Sequence, residues 1–359
     1  MGVEPLRSRS PAFVARSRAF PLFERYPFLG TVLPRQQLMT ADTPVHRLTR
    51  IGVSNIWIKR DDMTSTVYGG SKVRKLEFQL GAALALRKRC IVALGATGSH
   101  YLLAAALFAN QLGLECEAVV ANQFETEEAR DNFKVLRAHA TSVVRGGPEW
   151  RAAMRFFIRS RVPSADTMYL SPGGSCPLGN VGLVSAAFEL QRQIADGEMP
   201  PPAAIVCALG SGGTVAGLTV GASLAGLDAE VIGVRVYPSH AGPVPTMTCG
   251  RVRKLMRRTW RLLADADPGI PAIRIGRPRI AGEYLGNGYA RPTDAGLRAQ
   301  RLLAETEGVA LDSTYTAKTF AAVLDLRRAF GSRPILYWHT YAGAADPALS
   351  NPRTVPCAI

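Results

Sequence analysis

The sequence predicts an α/β protein of two domains, each built on an open parallel sheet. Three observations carry that expectation. At 359 residues the chain is long enough for two domains of ordinary size. From residue 90 onward, short apolar runs alternate with helical stretches, the pattern of parallel βαβ units. Three of the junctions, at residues 95–100, 172–179 and 210–214, are rich in glycine, as tight turns into a helix require.

Residues 1–40 are rich in Pro and Arg without a clean period, so an extended arm is expected there. Thr43-Pro44 marks a turn, and residues 55–59 (Asn-Ile-Trp-Ile-Lys) alternate as a strand. Val73, Leu76, Leu80, Ala83 and Leu84 recur at helical spacing, so a helix starts just after Gly69-Gly70. Strands are expected at 91–94, 116–120, 141–144 and 168–170, with helices at 102–112, 125–137 and 149–161. A helix runs from the second glycine-rich loop to residue 194, and residues 196–201 read as a connector. A strand at 204–209, a helix at 215–225 and a strand at 230–236 follow. The pattern resumes with a helix at 294–307, a short strand at 310–312, a helix at 317–329 and a strand at 335–338. Residues 344–359 read as a loose tail.

The charge is lopsided: 43 Lys+Arg against 28 Asp+Glu gives a formal +15. Most of the excess is spread thinly. The dense stretch, 251–261, puts Val252, Leu255, Met256 and Leu263 on one helical face and the basic residues on the other, a solvated face rather than a nucleic-acid patch. None of the six cysteines stands in a C-x-x-C pair, so neither a metal site nor a thioredoxin-like site is expected. Cys90 and Cys207 fall in strand-like runs and read as buried thiols of a reduced, cytoplasmic protein. No secretory signal or membrane-spanning run is visible.

Lys72 and Lys75 lie three apart, so a helix puts them on one face. They follow glycines at a helix start, where backbone N–H groups favour an anion. A lysine amine beside another cation is the better nucleophile toward a carbonyl. The turn Gly210-Ser211-Gly212-Gly213-Thr214 offers backbone N–H groups, a helix dipole and two hydroxyls, which suits one phosphate. It matches neither the nucleoside-triphosphate loop nor the dinucleotide fingerprint. Ser99 reads first as an N-cap, and His100 as a proton carrier or a local hydrogen-bonding group. Tyr289 and Tyr315 read as tyrosines with hydroxyls at a core edge. A nucleophilic lysine, a monophosphate cradle and a helix-start serine together point to pyridoxal 5′-phosphate.

Several blocks resemble the fold-type II pyridoxal-phosphate enzymes, specifically the 1-aminocyclopropane-1-carboxylate deaminase and D-cysteine desulfhydrase family. Lys59-Arg60-Asp61-Asp62, then Gly69-Gly70-Ser71-Lys72-Val73-Arg74-Lys75-Leu76-Glu77, is similar to the family's K-R-D-D…G-G-N-K-x-R-K-L-E. Residues 173–179, 286–293 (Gly-Asn-Gly-Tyr-Ala-Arg-Pro-Thr) and 311–318 (Leu-Asp-Ser-Thr-Tyr-Thr-Ala-Lys) resemble further family loops. The resemblance implies a tryptophan synthase β-subunit-like fold. Residues 78–188 would form the smaller domain, with 1–77 and 189–359 the larger, cofactor-binding one.

It also implies residue roles. Lys72 would carry the cofactor covalently, Lys75 would meet its phosphate, and Ser211, Gly212, Gly213 and Thr214 would cradle it. Ser99, Tyr289 and Tyr315 would act on the substrate, and His100 would contact the cofactor. Thr316 would face the pyridine nitrogen, where cyclopropane deaminases carry a carboxylate and desulfhydrases a threonine. That favours β-elimination from a small amino acid, giving a keto acid and ammonia, by a cytoplasmic homodimer with no nucleic-acid or membrane partner.

The chain departs from the family at four places. Ser71 and His100 replace asparagines, Ala290 replaces a glycine, and Tyr341-Ala342 replaces Gly-Gly. The departures keep three rivals open: β-replacement, other altered amino-acid chemistry in specialised metabolism, and a cofactor-binding homologue without turnover.

Overall fold

The computed structural model describes residues 20–241 and 244–341. Ala342, the tail over 344–359 and residues 1–19 of the expected arm lie outside the described residues. From Phe20 onward the arm is not extended. It forms two short helices, α1 (Pro21–Arg25) and α2 (Pro27–Val32). Each opens on a proline, whose fixed φ and missing N–H suit the first helical position. Leu22 and Leu29 are wholly buried, so this segment is part of the core.

Strands β1 (Val45–Arg47) and β2 (Ile56–Arg60) pair antiparallel. Helix α3 (Ser71–Ala85) buries Val73, Leu76, Leu80 and Ala83, the stripe its spacing predicts. An alternating run follows: β3 (Cys90–Ala96), α4 (His100–Gln111), β4 (Glu115–Ala121), α5 (Glu127–His139), β5 (Ser142–Gly147), α6 (Glu149–Arg159) and β6 (Thr167–Tyr169). These four strands make one parallel sheet in the order β5-β4-β3-β6.

Helix α7 (Pro177–Ala195) leads back to a second sheet, through β7 (Ala204–Leu209), α8 (Gly213–Leu224) and β8 (Glu230–Arg235). A small pair, β9 (His240–Ala241) and β10 (Val244–Pro245), precedes α9 (Cys249–Ala266). Then come β11 (Arg279–Ala281), α10 (Asp294–Glu307), α11 (Thr316–Leu326) and β12 (Ile335–His339). The second sheet runs β1-β2-β12-β7-β8-β11, parallel throughout except at the β1 edge.

β12 lies at the centre, with Ile335 opposite both Ile56 and Ala204. All five of its residues are buried, as a parallel strand covered on both faces requires. Leu336 and Trp338 pack among Leu218 of α8 and Val252 and Met256 of α9. Ile335 and Tyr337 pack on the opposite face with Leu303 of α10 and Phe320 of α11.

On α9 the basic residues Arg251, Arg253, Lys254, Arg257 and Arg258 are exposed, while Val252, Met256 and Leu263 are buried. Other parts of the sequence reading need correcting. Residues 310–312 form no strand, because Asp312 is used to cap α11. β11 was not foreseen; its polar first residue and its length of three residues hide it. Cys207 is buried as expected, but Cys90 is only half-buried.

Candidate active site

The C-terminal ends of β2, β3, β7 and β12 deliver the site, as parallel sheets generally do. β2 runs into Asp61, and Gly70 N–H donates to Asp61 O at 2.8 Å, folding the chain back before α3. A Cβ on Gly69 would lie 1.9 Å from Asp62 O, so only glycine fits there. Ser71 Oγ and Trp338 Nε1 both donate to Asp61 Oδ2, each at 2.8 Å. Arg74 pairs with Asp61 and Glu189, each at 2.8 Å, and Lys59 Nζ reaches Glu189 at 2.5 Å. Two cations and two carboxylates thus neutralise one another in the interior. Burial alone would raise the Glu189 pKa, but Arg74 and Lys59 hold it well below the usual carboxylate range. The charges of Lys59, Asp61 and Arg74 therefore anchor the helix that presents Lys72.

Lys72 is half-buried and has no hydrogen bond or ion pair among the described residues. Its Nζ lies 5.9 Å from the centre of the Tyr315 ring. Burial lowers its pKa, against the pull of Asp312 and Asp61. The amine is thus made nucleophilic by desolvation, not mainly by a neighbouring cation as the sequence suggests. The cation effect falls on Lys75, pushed well down by burial first and by Lys72 second. Lys75 is 1% exposed, with Nζ donating to Gly173 O at 3.1 Å and Ser175 Oγ at 3.3 Å. Among the described residues no carboxylate meets it. A buried ammonium without a counter-charge is costly unless an anion joins it.

The place for that anion is the start of α8. Its N-cap, Gly212, has φ +84° and supplies no side-chain cap. Ser175 and Ser211 hydroxyls lie 2.7 Å apart, and Gly213 N–H donates to Ser175 Oγ at 3.0 Å. A Cβ on Gly213 would sit 2.5 Å from Ser175 Oγ and 2.8 Å from Lys75 Nζ. Lys75, Ser211, Gly212, Gly213 and the buried Thr214 therefore come together around one helix N-terminus. Ser175 joins them. The second glycine-rich loop was its only sequence signal.

Ser99 is the N-cap of α4, accepting from Leu102 N–H at 3.3 Å. Beside it, His100 has both ring nitrogens engaged: Nδ1 lies 2.7 Å from Tyr68 Oη and Nε2 3.2 Å from Glu128 Oε1. Tyr289 and Tyr315 share a 2.5 Å hydroxyl contact. Burial pushes the Tyr289 phenol up to about 12 and Tyr315 well above its ordinary value. Lys318 Nζ donates to Leu285 O and Gly288 O, pinning the loop that carries Tyr289. Ala290, where the motif has glycine, takes φ +59°, a left-handed backbone that costs a residue with a Cβ about 1 kcal/mol. Thr316 Oγ1 donates to Asp312 Oδ2 at 2.5 Å and accepts from Asp312 N–H at 2.7 Å, so its hydroxyl is backed by a carboxylate. Tyr341 stacks on His339 with ring centres 5.8 Å apart. Tyr68, Glu128, Asp312 and Tyr341 are thus site neighbours that the motifs did not single out for a role. No group of side chains suited to a metal is found among the described residues.

A free, desolvated amine next to a buried anion cradle fits a molecule with one aldehyde and one phosphate. The comparisons agree: the chain belongs to the pyridoxal-phosphate dependent enzymes, whose family pattern matches residues 37–340. Within that class it is 33% identical over 326 residues to the D-cysteine desulfhydrases of Salmonella paratyphi A and Salmonella choleraesuis, covering 86% of this chain and 94% of each relative. Among solved structures it is similar to an ACC deaminase homologue, with TM-score 0.73, 29% identity and 88% and 93% of the two chains covered. The processed threonine deaminase isoform 2 of Solanum lycopersicum shares the fold at TM-score 0.61 and 13% identity, over 92% of this chain and 94% of that one. The fold is the fold-type II arrangement, and pyridoxal phosphate is the cofactor.

Proposed function

We propose that the protein eliminates a β-substituent from a small amino acid, releasing a keto acid and ammonia. The observation that carries this reading is the unpaired Lys72 amine beside the Lys75 and α8 cradle. The likeness to D-cysteine desulfhydrases supports elimination over other chemistries. When bound, pyridoxal phosphate supplies an electron sink for the charge left at Cα when its proton departs. Lys72 would carry the cofactor, and its amine would take that proton. Lys75, Ser211, Thr214 and the N–H groups of Gly212 and Gly213 hold the phosphate. Ser99, at the start of α4, and the Tyr289–Tyr315 pair would orient the substrate and hold protons near it. His100, at the start of α4, would contact the cofactor. Thr316, fixed by Asp312, would offer the cofactor ring a hydroxyl rather than a carboxylate.

The sheet formed by β3 to β6 supports a smaller domain over residues 78–188, with 1–77 and 189–359 as the larger one. Family precedent supports a homodimer. This reading is of a cytoplasmic enzyme acting on a small molecule; among the described residues no helix is long and apolar enough to cross a membrane.

The test is the visible absorbance of the purified protein and keto-acid release from a panel of D- and L-amino acids. The expected result is a cofactor band and turnover in wild type, both abolished in Lys72→Ala. A colourless wild type, or equal turnover in Lys72→Ala, refutes the reading.

A further inference from the structure

Two departures from the motif meet in space. The rings of His100, which replaces an asparagine, and Tyr341, which replaces a glycine, have centres 6.1 Å apart. His100 lies in line between a phenol and a carboxylate, with Tyr68 Oη 2.7 Å from Nδ1 and Glu128 Oε1 3.2 Å from Nε2. Asn132 Nδ2 also approaches Nδ1, at 3.5 Å. Ionised Glu128 only accepts, so Nε2 carries a hydrogen and Nδ1 is the nitrogen that exchanges a proton with Tyr68. Hydroxyl, imidazole and orienting carboxylate in this sequence are the parts of an acid–base relay. The inner end is dry, Tyr68 being 2% exposed, whereas the Glu128 side chain is 34% exposed and open to water. Tyr68 lies on the segment that turns into α3 and Lys72. Asp312, which caps α11 beside Thr316, acts on both Tyr68 and Lys72.

We propose that Tyr68 is the general acid of the reaction, backed by a His100 that Glu128 orients, and that the preferred substrate is a β-hydroxy or β-alkoxy amino acid. The proposal rests on the elimination reading above. Its chemical basis is the leaving group. A thiolate or halide departs without a proton, but hydroxide and alkoxide are poor leaving groups and need an acid. With a proton on His100, both ring nitrogens donate, Nε2–H to Glu128 and Nδ1–H to Tyr68 Oη, which frees the phenolic hydrogen for another acceptor. As the Cβ–O bond breaks, its electron pair stays with oxygen and Tyr68 gives its hydrogen to that oxygen. The Nδ1 proton moves onto Tyr68 Oη, so water or an alcohol leaves. Neutral His100, still held through Nε2–H by Glu128, takes its next proton at Nδ1 from Tyr68, whose oxygen is reprotonated by water that enters as the product leaves. Glu128 is a positioning residue in this scheme and Tyr68 the catalytic one.

The test compares serine with β-chloroalanine, in the enantiomer the holoenzyme accepts. Wild type, Tyr68→Phe and Glu128→Gln are each checked first for the cofactor absorbance band. Tyr68→Phe is expected to lose about 100-fold or more in kcat/KM on serine, and Glu128→Gln about tenfold, against a loss of a few-fold at most on β-chloroalanine. The five histidines allow a second readout by selective nitrogen-15 labelling: in Tyr68→Phe the His100 Nδ1 resonance moves while Nε2 stays. Equal losses on both substrates, an unmoved Nδ1, or a wild type that eliminates chloride but not water each overturn the relay and leave elimination standing. A wild type that eliminates neither group overturns the elimination reading, and the relay with it.

Discussion

Acidification between about pH 6.5 and 4 is expected to destabilise the protein through His339. This residue ends β12 with its ring wholly buried and its Nε2 without a hydrogen-bond partner. Nδ1 lies 3.0 Å from Tyr337 Oη, and the nearest carboxylate, Asp62, is 3.9 Å from Nε2. Burial, the largest influence, lowers its pKa from 6.5 to about 4. The sign follows directly. The native ring stays neutral in this window while the unfolded chain takes up a proton. The unfolded state therefore binds more protons, and stability falls as pH falls. Stability from this source is complete above about pH 6.5 and lost progressively down to the folded value. The gap corresponds to about 3 kcal/mol, most of it expressed by about pH 4.5. Urea unfolding of wild type and His339→Gln across about pH 7.5 to 4.5 measures it. Wild type is expected to lose about 2 to 3 kcal/mol more than the variant, and taking the difference cancels the titrating groups that do not interact with His339. Parallel curves refute the argument.

Two further outcomes follow from the packing. Glu189→Ala leaves Arg74 and Lys59 buried without their shared carboxylate, so it is expected to cost about 3–5 kcal/mol in urea unfolding. Gly213→Ala places a methyl 2.5 Å from Ser175 Oγ and 2.8 Å from Lys75 Nζ; cofactor affinity is expected to fall at least about tenfold, read by absorbance titration.

The alternating pattern from residue 90 to 236 is legible in the sequence because each βα unit satisfies its own helix and strand periods locally. The glycine turns before α3 and α8 are legible for a similar reason: a close backbone approach leaves room for no other residue. Long-range partners are what the sequence hides. Arg74 meets Glu189 115 residues away, and nothing in either local pattern marks the pair. The short run Ala310-Leu311-Asp312 reads as a strand, yet Asp312 is committed to the backbone N–H groups of Thr314, Tyr315 and Thr316. Motif spacing places Lys72 and the α8 loop, but it cannot reveal that His100 has Tyr68 and Glu128 on its two sides. Those three residues come from the turn before α3, the start of α4 and the first turn of α5.

The central place of β12 has a consequence for synthesis. It is the last strand along the described chain, yet it fills the gap between β2 and β7 and supplies Trp338 to Asp61. On the ribosome, the β3–β6 sheet can close early, since its strands are contiguous. β2 and β7, by contrast, hold open, apolar edges until residue 339 has emerged, and open edges invite pairing with other chains. Truncation before β12, or a pause in translation shortly before it, therefore leaves a nascent chain with one finished sheet and one split sheet, a species that relies on chaperones to stay soluble.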